Sequence, residues 1–512
     1  TFTGVQDMAV DTFLKLARRC GSILTEEEVE DDVVHPPYIQ TYLESIDDVL
    51  DVLSKPFVYV LYEALGIVVG QAAPEVQEHG LIKLLFRTID EKWAFSVRFL
   101  NENPKLMHDQ EFLQDVIFTL KCMTHAGRGI GSGFVQYLRG QLNSILAMYS
   151  SVNELLHDEI SVSSQGTILN QHRIKLFRLV KKEILKALGE AFSGTNDPES
   201  ISRHILPYVF KTILPDYAQS GESFRDAQFL VLLTLIVEKL RSNVKDSVQD
   251  ICVFAVCPTL EMISRNMQDF PDLRTHIFKL LRALTRNCFG PFLQCAESSP
   301  MIVEGILWAI KHAASEISSS GVEILFDFLR QIMHSDIAEN FYVAYFCTIL
   351  TEIFAALTDT LHTTDFVGHV RILLLLLQIA GTAKRIAPDQ PVDVKSIDYV
   401  RNYLQKILGN AYPNMNVDQI AEFLRATCSL GVGLNEMLVL MRDFIIESKE
   451  WGAKEMKTFQ KAEETPLWKE FSRTEECAAR SERNIRPDRL NNLPGFMLDK
   501  HQTSYSEALN EF

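Results

Sequence analysis

Residues 38–69 read YIQTYLESIDDVLDVLSKPFVYVLYEALGIVV. Apolar residues fall at Ile39, Leu43, Ile46, Val49, Leu50 and Leu53, then at Phe57, Val60, Leu61, Ala64, Leu65 and Val68. Both sets repeat every three to four residues, the signature of amphipathic helix. The Ser54-Lys55-Pro56 break is too short for anything but a tight connection. Two helices joined this way form a hairpin with one apolar face each, which must be covered by a neighbour.

The same pattern recurs along the 512-residue chain. Val5–Cys20 predicts a single first helix, through Met8, Val10, Phe13, Leu14, Leu16 and Ala17. Paired helices follow at 38–53 with 57–71, 75–100 with 109–126, 134–162 with 168–192, and 199–217 with 223–242. Further pairs are expected at 246–266 with 272–287, 299–315 with 318–334, 337–358 with 364–383, 395–410 with 417–429, and 435–450 with 465–484. Pro36-Pro37, Gly194 to Pro198, Pro271-Asp272, Gly290-Pro291 and Pro388-Asp389 punctuate them. A pair every roughly 45–55 residues is the size of a HEAT-type repeat or slightly longer. Strand signals are scarce and no Asn-Gly or Asp-Gly hairpin turn occurs. The expected fold is all-α, an α-α superhelix (solenoid) of HEAT repeats, with no Gly/Ser linker dividing it. Its parts are a helix in 1–20, about nine hairpins in 38–450, a C-terminal helix at 465–484 and an extended tail at 485–512.

Hydrophobic residues make up 47% and charged residues 23%, which excludes wholesale disorder. The net charge of −17 argues against general nucleic-acid binding, which depends on neutralising phosphates. Nine scattered cysteines without a C-x-x-C pair fit reduced thiols, mostly small core residues. Nothing at the N-terminus resembles a signal peptide. The most apolar runs, Ile372–Ala380 and Phe229–Val237, fall short of the ~20 residues that span a bilayer and read as buried helix.

Chemistry-bearing motifs are absent. Gly127-Arg128-Gly129-Ile130-Gly131-Ser132-Gly133 has the composition of a phosphate loop, but a helix rather than a strand precedes it and no Lys-Ser/Thr follows. It reads as a flexible turn between helices. His362 and His369 stand seven apart, outside any metal-ligand spacing. No nucleophile elbow or carboxylate pair stands out. The chain reads as a binding protein, not an enzyme, with no cofactor or metal. The acidic run Glu26–Asp32 reads as a solvated loop. The pairs Arg18-Arg19, Lys181-Lys182 and Lys384-Arg385 read as helix-end charges or rim contacts for acidic protein surfaces.

Several strings go further. Gly4-Val5-Gln6-Asp7-Met8-Ala9-Val10-Asp11-Thr12-Phe13-Leu14-Lys15-Leu16-Ala17 resembles a stretch of the exportin-1 family of nuclear export receptors, in the importin-β superfamily. So do Tyr62-Glu63-Ala64-Leu65-Gly66, Asn196-Asp197-Pro198, Trp308-Ala309-Ile310-Lys311-His312, Phe341–Cys347, Leu357–Thr363, Arg442-Asp443-Phe444 and Pro494-Gly495-Phe496, in the family's order. The resemblance implies a C-terminal half. It implies transport of proteins with leucine-rich export signals through the nuclear pore, dependent on Ran–GTP. It also implies nucleoporin partners and shuttling between nucleus and cytoplasm. It places Gly4, Val5 and Met8 on the margin of the cargo groove, and Leu467, Trp468 and Phe471 on a regulatory helix at 465–484. It assigns no Ran-binding residues. The family's reactive groove cysteine has no counterpart here, and Cys20 does not replace it. The competing reading is a generic HEAT scaffold subunit of another complex.

Overall fold

The computed structural model describes residues 3–30, 33–73, 80–102, 107, 109–162, 168–265, 270–298, 300–312, 314–358, 365–412, 415–429 and 431–448. The chain divides into two compact units, Thr1–Met441 and Arg442–Phe512. In the second, only residues 442–448 are described. The expected helix at 465–484, with Leu467, Trp468 and Phe471, lies outside the described residues.

The first unit is a stack of helices. It opens with α1 (Thr3–Cys20) and a short antiparallel ribbon, β1 (Glu28–Glu30) with β2 (Val33–His35). Then come α2 (Tyr38–Glu44), α3 (Ile46–Leu50), α4 (Lys55–Gln71), α5 (Ile82–Glu102), α6 (Gln110–Ile130), α7 (Ser132–Val162) and α8 (Ile168–Gly194). The middle holds α9 (Pro198–His204), α10 (Leu206–Gln219), α11 (Ala227–Leu240), α12 (Val248–Ile251), a π-turn (Cys252–Val256) and α13 (Cys257–Arg265). The remainder is α14 (Pro271–Asn287), α15 (Phe289–Ser298), α16 (Pro300–Ile310), α17 (Ser315–Ile332), α18 (Ala338–Thr358), α19 (Phe366–Thr382), α20 (Ser396–Ala411) and α21 (Val417–Thr427). The last, α22 (Leu434–Ser448), runs past the boundary between the units.

Two rows organise the stack. α1, α4, α6, α8, α11, α14, α17 and α19 pack each on the next. α2, α5, α7, α10, the π-turn with α13, α16 and α18 form the facing row. Successive hairpins therefore bury each other's apolar faces, as HEAT-type repeats do. Eight of the nine expected pairs are described over most of their length. Trp93, 1% exposed, sits between the rows' second and third hairpins, and its indole N–H reaches Ser144 Oγ at 2.9 Å.

The turn chemistry is legible locally. Asp197 caps α9, accepting from Ser200 N at 3.0 Å, and Pro198 follows at the first helical position. Asn416 and Gln419 close a capping box on α21. Asp365 caps α19, accepting from Gly368 N at 3.1 Å.

Three expectations need correction. Glu28–Glu30 is not loop but a strand paired with Val33–His35. Phe289–Ser298 forms α15, although Gly290-Pro291 reads as a turn; a proline within a helix's first turn gives up only an N–H that has no partner there. The glycine string is not a flexible turn. Helix α6 continues to Ile130, and only Gly131, at φ 71°, makes the turn. A Cβ on Gly129 would lie 2.6 Å from the Gly66 carbonyl carbon and 2.7 Å from Glu63 O. On Gly70 it would meet Gly129 O at 2.7 Å. These glycines let α4 and α6 cross backbone to backbone.

The apolar runs of the sequence, in α11 and α19, are buried in the stack. Two stretches, Ala227–Arg265 and Ala338–Thr358, are long and apolar enough to cross a bilayer by length and composition, and half of the 18-residue apolar window in each is buried inside the protein. The first is broken by a 3-10 segment at Arg241–Ser247. The thiols of Cys122, Cys252, Cys288, Cys295 and Cys428 are buried, while Cys20 is exposed.

Candidate docking surface

Helix α1 carries two apolar stripes. One faces the stack: Val10 is 6% exposed and Ala17 is fully covered, and Phe13 stacks on Tyr42 at 5.9 Å. Gln6 Nε2 donates to Val52 O at 2.9 Å, and Gln71 Nε2 to Ala17 O at 3.1 Å, fixing both ends of α1. The other stripe faces outward: Val5 is 65% exposed, Met8 72% and Leu16 51%. At 100° per residue these three lie within about a quarter-turn of one another. Ile23, in the 3-10 turn after α1, is exposed too, and a Cβ on Gly4 would meet nothing within 4 Å.

Thus Gly4, Val5 and Met8 sit together on the exposed side of α1. Leu16 extends that side, and the sequence reading does not single it out. In the sequence Leu16 belongs to the same three-to-four repeat as Ala17, and only packing separates the two stripes.

A polar seam runs beside it along the first row. Glu63 on α4, 16% exposed, accepts from Arg18 Nη2 at 3.3 Å, from His125 Nδ1 at 3.1 Å and from Arg128 Nη1 at 3.4 Å. Arg128 turns its other edge to Glu190 on α8 at 3.0 Å. Four consecutive helices of the row, α1, α4, α6 and α8, are joined by this one relay. It fixes α1, and with it the exposed stripe, to the stack.

A second exposed apolar feature lies between α5 and α6. An open groove of about 790 Å³ is lined by Phe95, Phe112, Phe118, Lys92, Glu91 and Asp115. Phe95 is 50% exposed and stacks on Phe99 at 4.7 Å. The Lys55 and Lys92 ammonium groups sit over the Phe118 ring at 5.2 and 5.3 Å. No sequence signal marks this groove, because its rings come from two helices.

The histidines have structural work. His369 is 3% exposed, with Nδ1 2.8 Å from Asp365 O and Nε2 3.2 Å from Ile310 O, tying α19 to the end of α16. His362 lies outside the described residues. Among the described residues, no group of three or more His, Cys, Asp or Glu could hold a metal ion. Lys181 is not a rim charge: only 12% of its side chain is exposed, and it pairs with Asp216 at 2.7 Å. Burial holds its pKa below the ordinary lysine value.

Two rows of paired helices, each hairpin burying its apolar face on the next, define a helical-repeat protein of the HEAT type. The chain belongs to the family described as CRM1 C terminal, whose model matches residues 137–453. It is 27% identical over 507 residues to Protein EXPORTIN 1B of Arabidopsis thaliana, covering 97% of this chain and 45% of that protein. It is 28% identical to Exportin-1 of Schizosaccharomyces pombe, over 91% of this chain and 43% of the relative. Against Exportin-1 of Drosophila melanogaster the identity is 26%, over 98% of this chain and 46% of the relative. The chain spans about half the length of the curated relatives it matches. Among solved structures, an engineered protein overlays at a TM-score of 0.37 with 13% identity over 91% of this chain and 98% of its own, too loosely to bear on the fold.

Proposed function

We propose that this chain is the C-terminal half of a nuclear export receptor, which carries proteins with leucine-rich export signals through the nuclear pore under the control of Ran–GTP. The observation that carries the reading is the match to the CRM1 C-terminal family, together with exportin-1 relatives that cover nearly the whole chain. The receptor shuttles between nucleus and cytoplasm, and its partners are Ran–GTP, export-signal cargo and nucleoporins. The outward stripe of α1 supports the cargo reading. Leucine-rich peptides bind by inserting apolar side chains into a groove between helices. Gly4, Val5 and Met8, extended by Leu16, supply one wall of such a groove.

One wall buries little of a peptide, so the isolated 512 residues bind a leucine-rich peptide weaker than micromolar. The receptor that contains this half binds it measurably, and more tightly with Ran–GTP present. Val5→Asp with Met8→Asp in that receptor abolishes peptide binding while Ran–GTP capture survives. Calorimetry with the peptide and a pull-down with Ran–GTP read both. Micromolar binding to the isolated chain, or unchanged binding by the double variant, puts the cargo site elsewhere.

The segment 465–484, with Leu467, Trp468 and Phe471, favours the cargo-free receptor in this reading. Deleting it raises peptide affinity without Ran by ~1–3 kcal/mol, the usual size of an allosteric coupling. Unchanged affinity with a lowered melting temperature assigns it to capping alone.

A further inference from the structure

Helix α8 is basic in an acidic protein: its 27 residues hold six Lys or Arg and two Glu, in a chain of net charge −17. The fold uses several of these charges. Lys186 pairs with Glu183 at 2.9 Å, and Arg128 of α6 takes Glu190. Lys181 Nζ reaches Asp216 Oδ2 at 2.7 Å and Asn153 Oδ1 at 2.8 Å, and Tyr149 O–H donates to the same carboxylate oxygen at 2.5 Å. Asp216 is thereby neutralised in place.

Among the rest, Arg178 and Lys182 stand together. They are four residues apart and share one face of α8. Both line a cleft against α10 and the start of α11, with Tyr217, Phe224, Asp216 and Asp226. Among the described residues, no carboxylate lies within ion-pair range of either cation. Arg178 instead lies over the Phe224 ring, 6.0 Å from its centroid. The other acid of the cleft, Asp226, caps α11, accepting from Gln228 N at 2.8 Å, and keeps its charge, so the lining as a whole carries one net positive charge.

We propose that this cleft binds a phosphate monoester carried on a peptide segment of a partner protein. Two cations one helical turn apart, neither held in an ion pair, offer donors to a group of charge near −2 with three acceptor oxygens. A single carboxylate offers two acceptor oxygens where the phosphate offers three. The Arg178 fork takes two oxygens, Lys182 acts as a point charge on the third, and the Phe224 ring receives an apolar flanking residue.

The test is fluorescence anisotropy of the 512-residue protein with a fluorescein-labelled nine-residue peptide, phosphoserine flanked by leucines. The expected result is binding at least about tenfold tighter than for the unphosphorylated peptide and tighter than for a glutamate version. Arg178→Gln weakens it about tenfold or more, and Arg178→Lys, which keeps the charge and loses the fork, weakens it less. Lys182→Gln weakens it by a smaller factor, with melting temperatures unchanged because the Lys181–Asp216 pair is intact. Equal affinity for the phosphorylated and plain peptides overturns the proposal, as does undiminished binding by a folded R178Q/K182Q double variant. Inorganic phosphate binding as tightly as the phosphopeptide overturns the peptide claim and makes the free anion the ligand.

Discussion

The crossing of α4 on α6 and the crossing of α14 on α17 are steps of the same row, yet they are held by different physics. At α4–α6 the backbones touch: Gly66, Gly70 and Gly129 leave no room for a Cβ, and one carboxylate, Glu63, collects the polar contacts. At α14–α17 large apolar side chains are buried instead. Leu280, Leu281 and Leu284 are buried on α14, and Ile324, Leu325 and Phe328 on α17. A ladder of ion pairs follows the rim: Lys279 with Glu316, Arg282 with Glu323, and Arg286 with Asp327. One row can therefore tolerate side-chain change at one step and almost none at another.

Gly129→Val breaks the comparison hardest. The new branched side chain meets backbone atoms of α4, which cannot swing aside as a flexible side chain does. The expected loss is about 4 kcal/mol or more, above the usual ~1–3 for overpacking. Gly140→Val on α7, where a Cβ meets nothing within 4 Å, is the control and changes stability by less than about 1 kcal/mol. Chemical denaturation of both variants checks it. A mild G129V would mean that α4 and α6 slide apart at little cost.

Leu281→Ala is the matching change at the other step. It leaves a cavity rather than a clash, and about 3 kcal/mol is expected. Hydrogen exchange localises the damage: α14 and α17 lose protection while α4 and α6 keep theirs, because each repeat contacts only its neighbours. Loss of protection throughout would show that the row unfolds as one unit.

This contrast also marks what the sequence could reveal. Periodicity found the paired helices, since a buried stripe repeats at 3.6 wherever it occurs. It could not tell the two uses of glycine apart. Gly131 turns the chain and Gly129 admits a neighbouring helix, and both look alike in one dimension. The same blindness touched the candidate site. Met8 and Leu16 belong to one apolar repeat in the sequence, and only the resemblance, which places Val5 and Met8 on a groove margin, sets Met8 apart; Leu16 carries no such mark although it is 51% exposed. The unpaired state of Arg178 and Lys182 could not be read at all, because their potential partners Asp216 and Asp226 belong to other helices and are already engaged.

Glu63→Gln separates the two steps electrostatically. Glutamine keeps the shape but faces Arg18, His125 and Arg128 without charge, in a site where the carboxylate is only 16% exposed. Charge-assisted hydrogen bonds of this sort are worth about 1.5–3 kcal/mol each, and part is recovered because Arg128 keeps Glu190. A loss of about 1–2 kcal/mol is expected, most of it surviving in 0.5 M salt, since partly buried pairs are screened weakly. A loss that disappears with salt would make the seam a surface feature.

Glu323→Gln is the smallest effect. Glu323 faces Arg282 and, at 3.6 Å, Arg286, but its side chain is 45% exposed and the two arginines are 37% and 46% exposed. Water competes for all three groups, and ordering long side chains offsets what attraction remains. Arg286 also keeps Asp327 at 2.8 Å, so one cation is not stranded by the change. The expected loss is at most about 0.5–1 kcal/mol at low salt and close to nothing at 0.5 M, where the screening length is shorter than ~5 Å. Denaturation midpoints of E63Q and E323Q measured at both salt concentrations then give two different slopes. If the slopes coincide, the rim ladder and the Glu63 seam are one kind of contact, and the difference between the steps lies only in how closely the backbones approach.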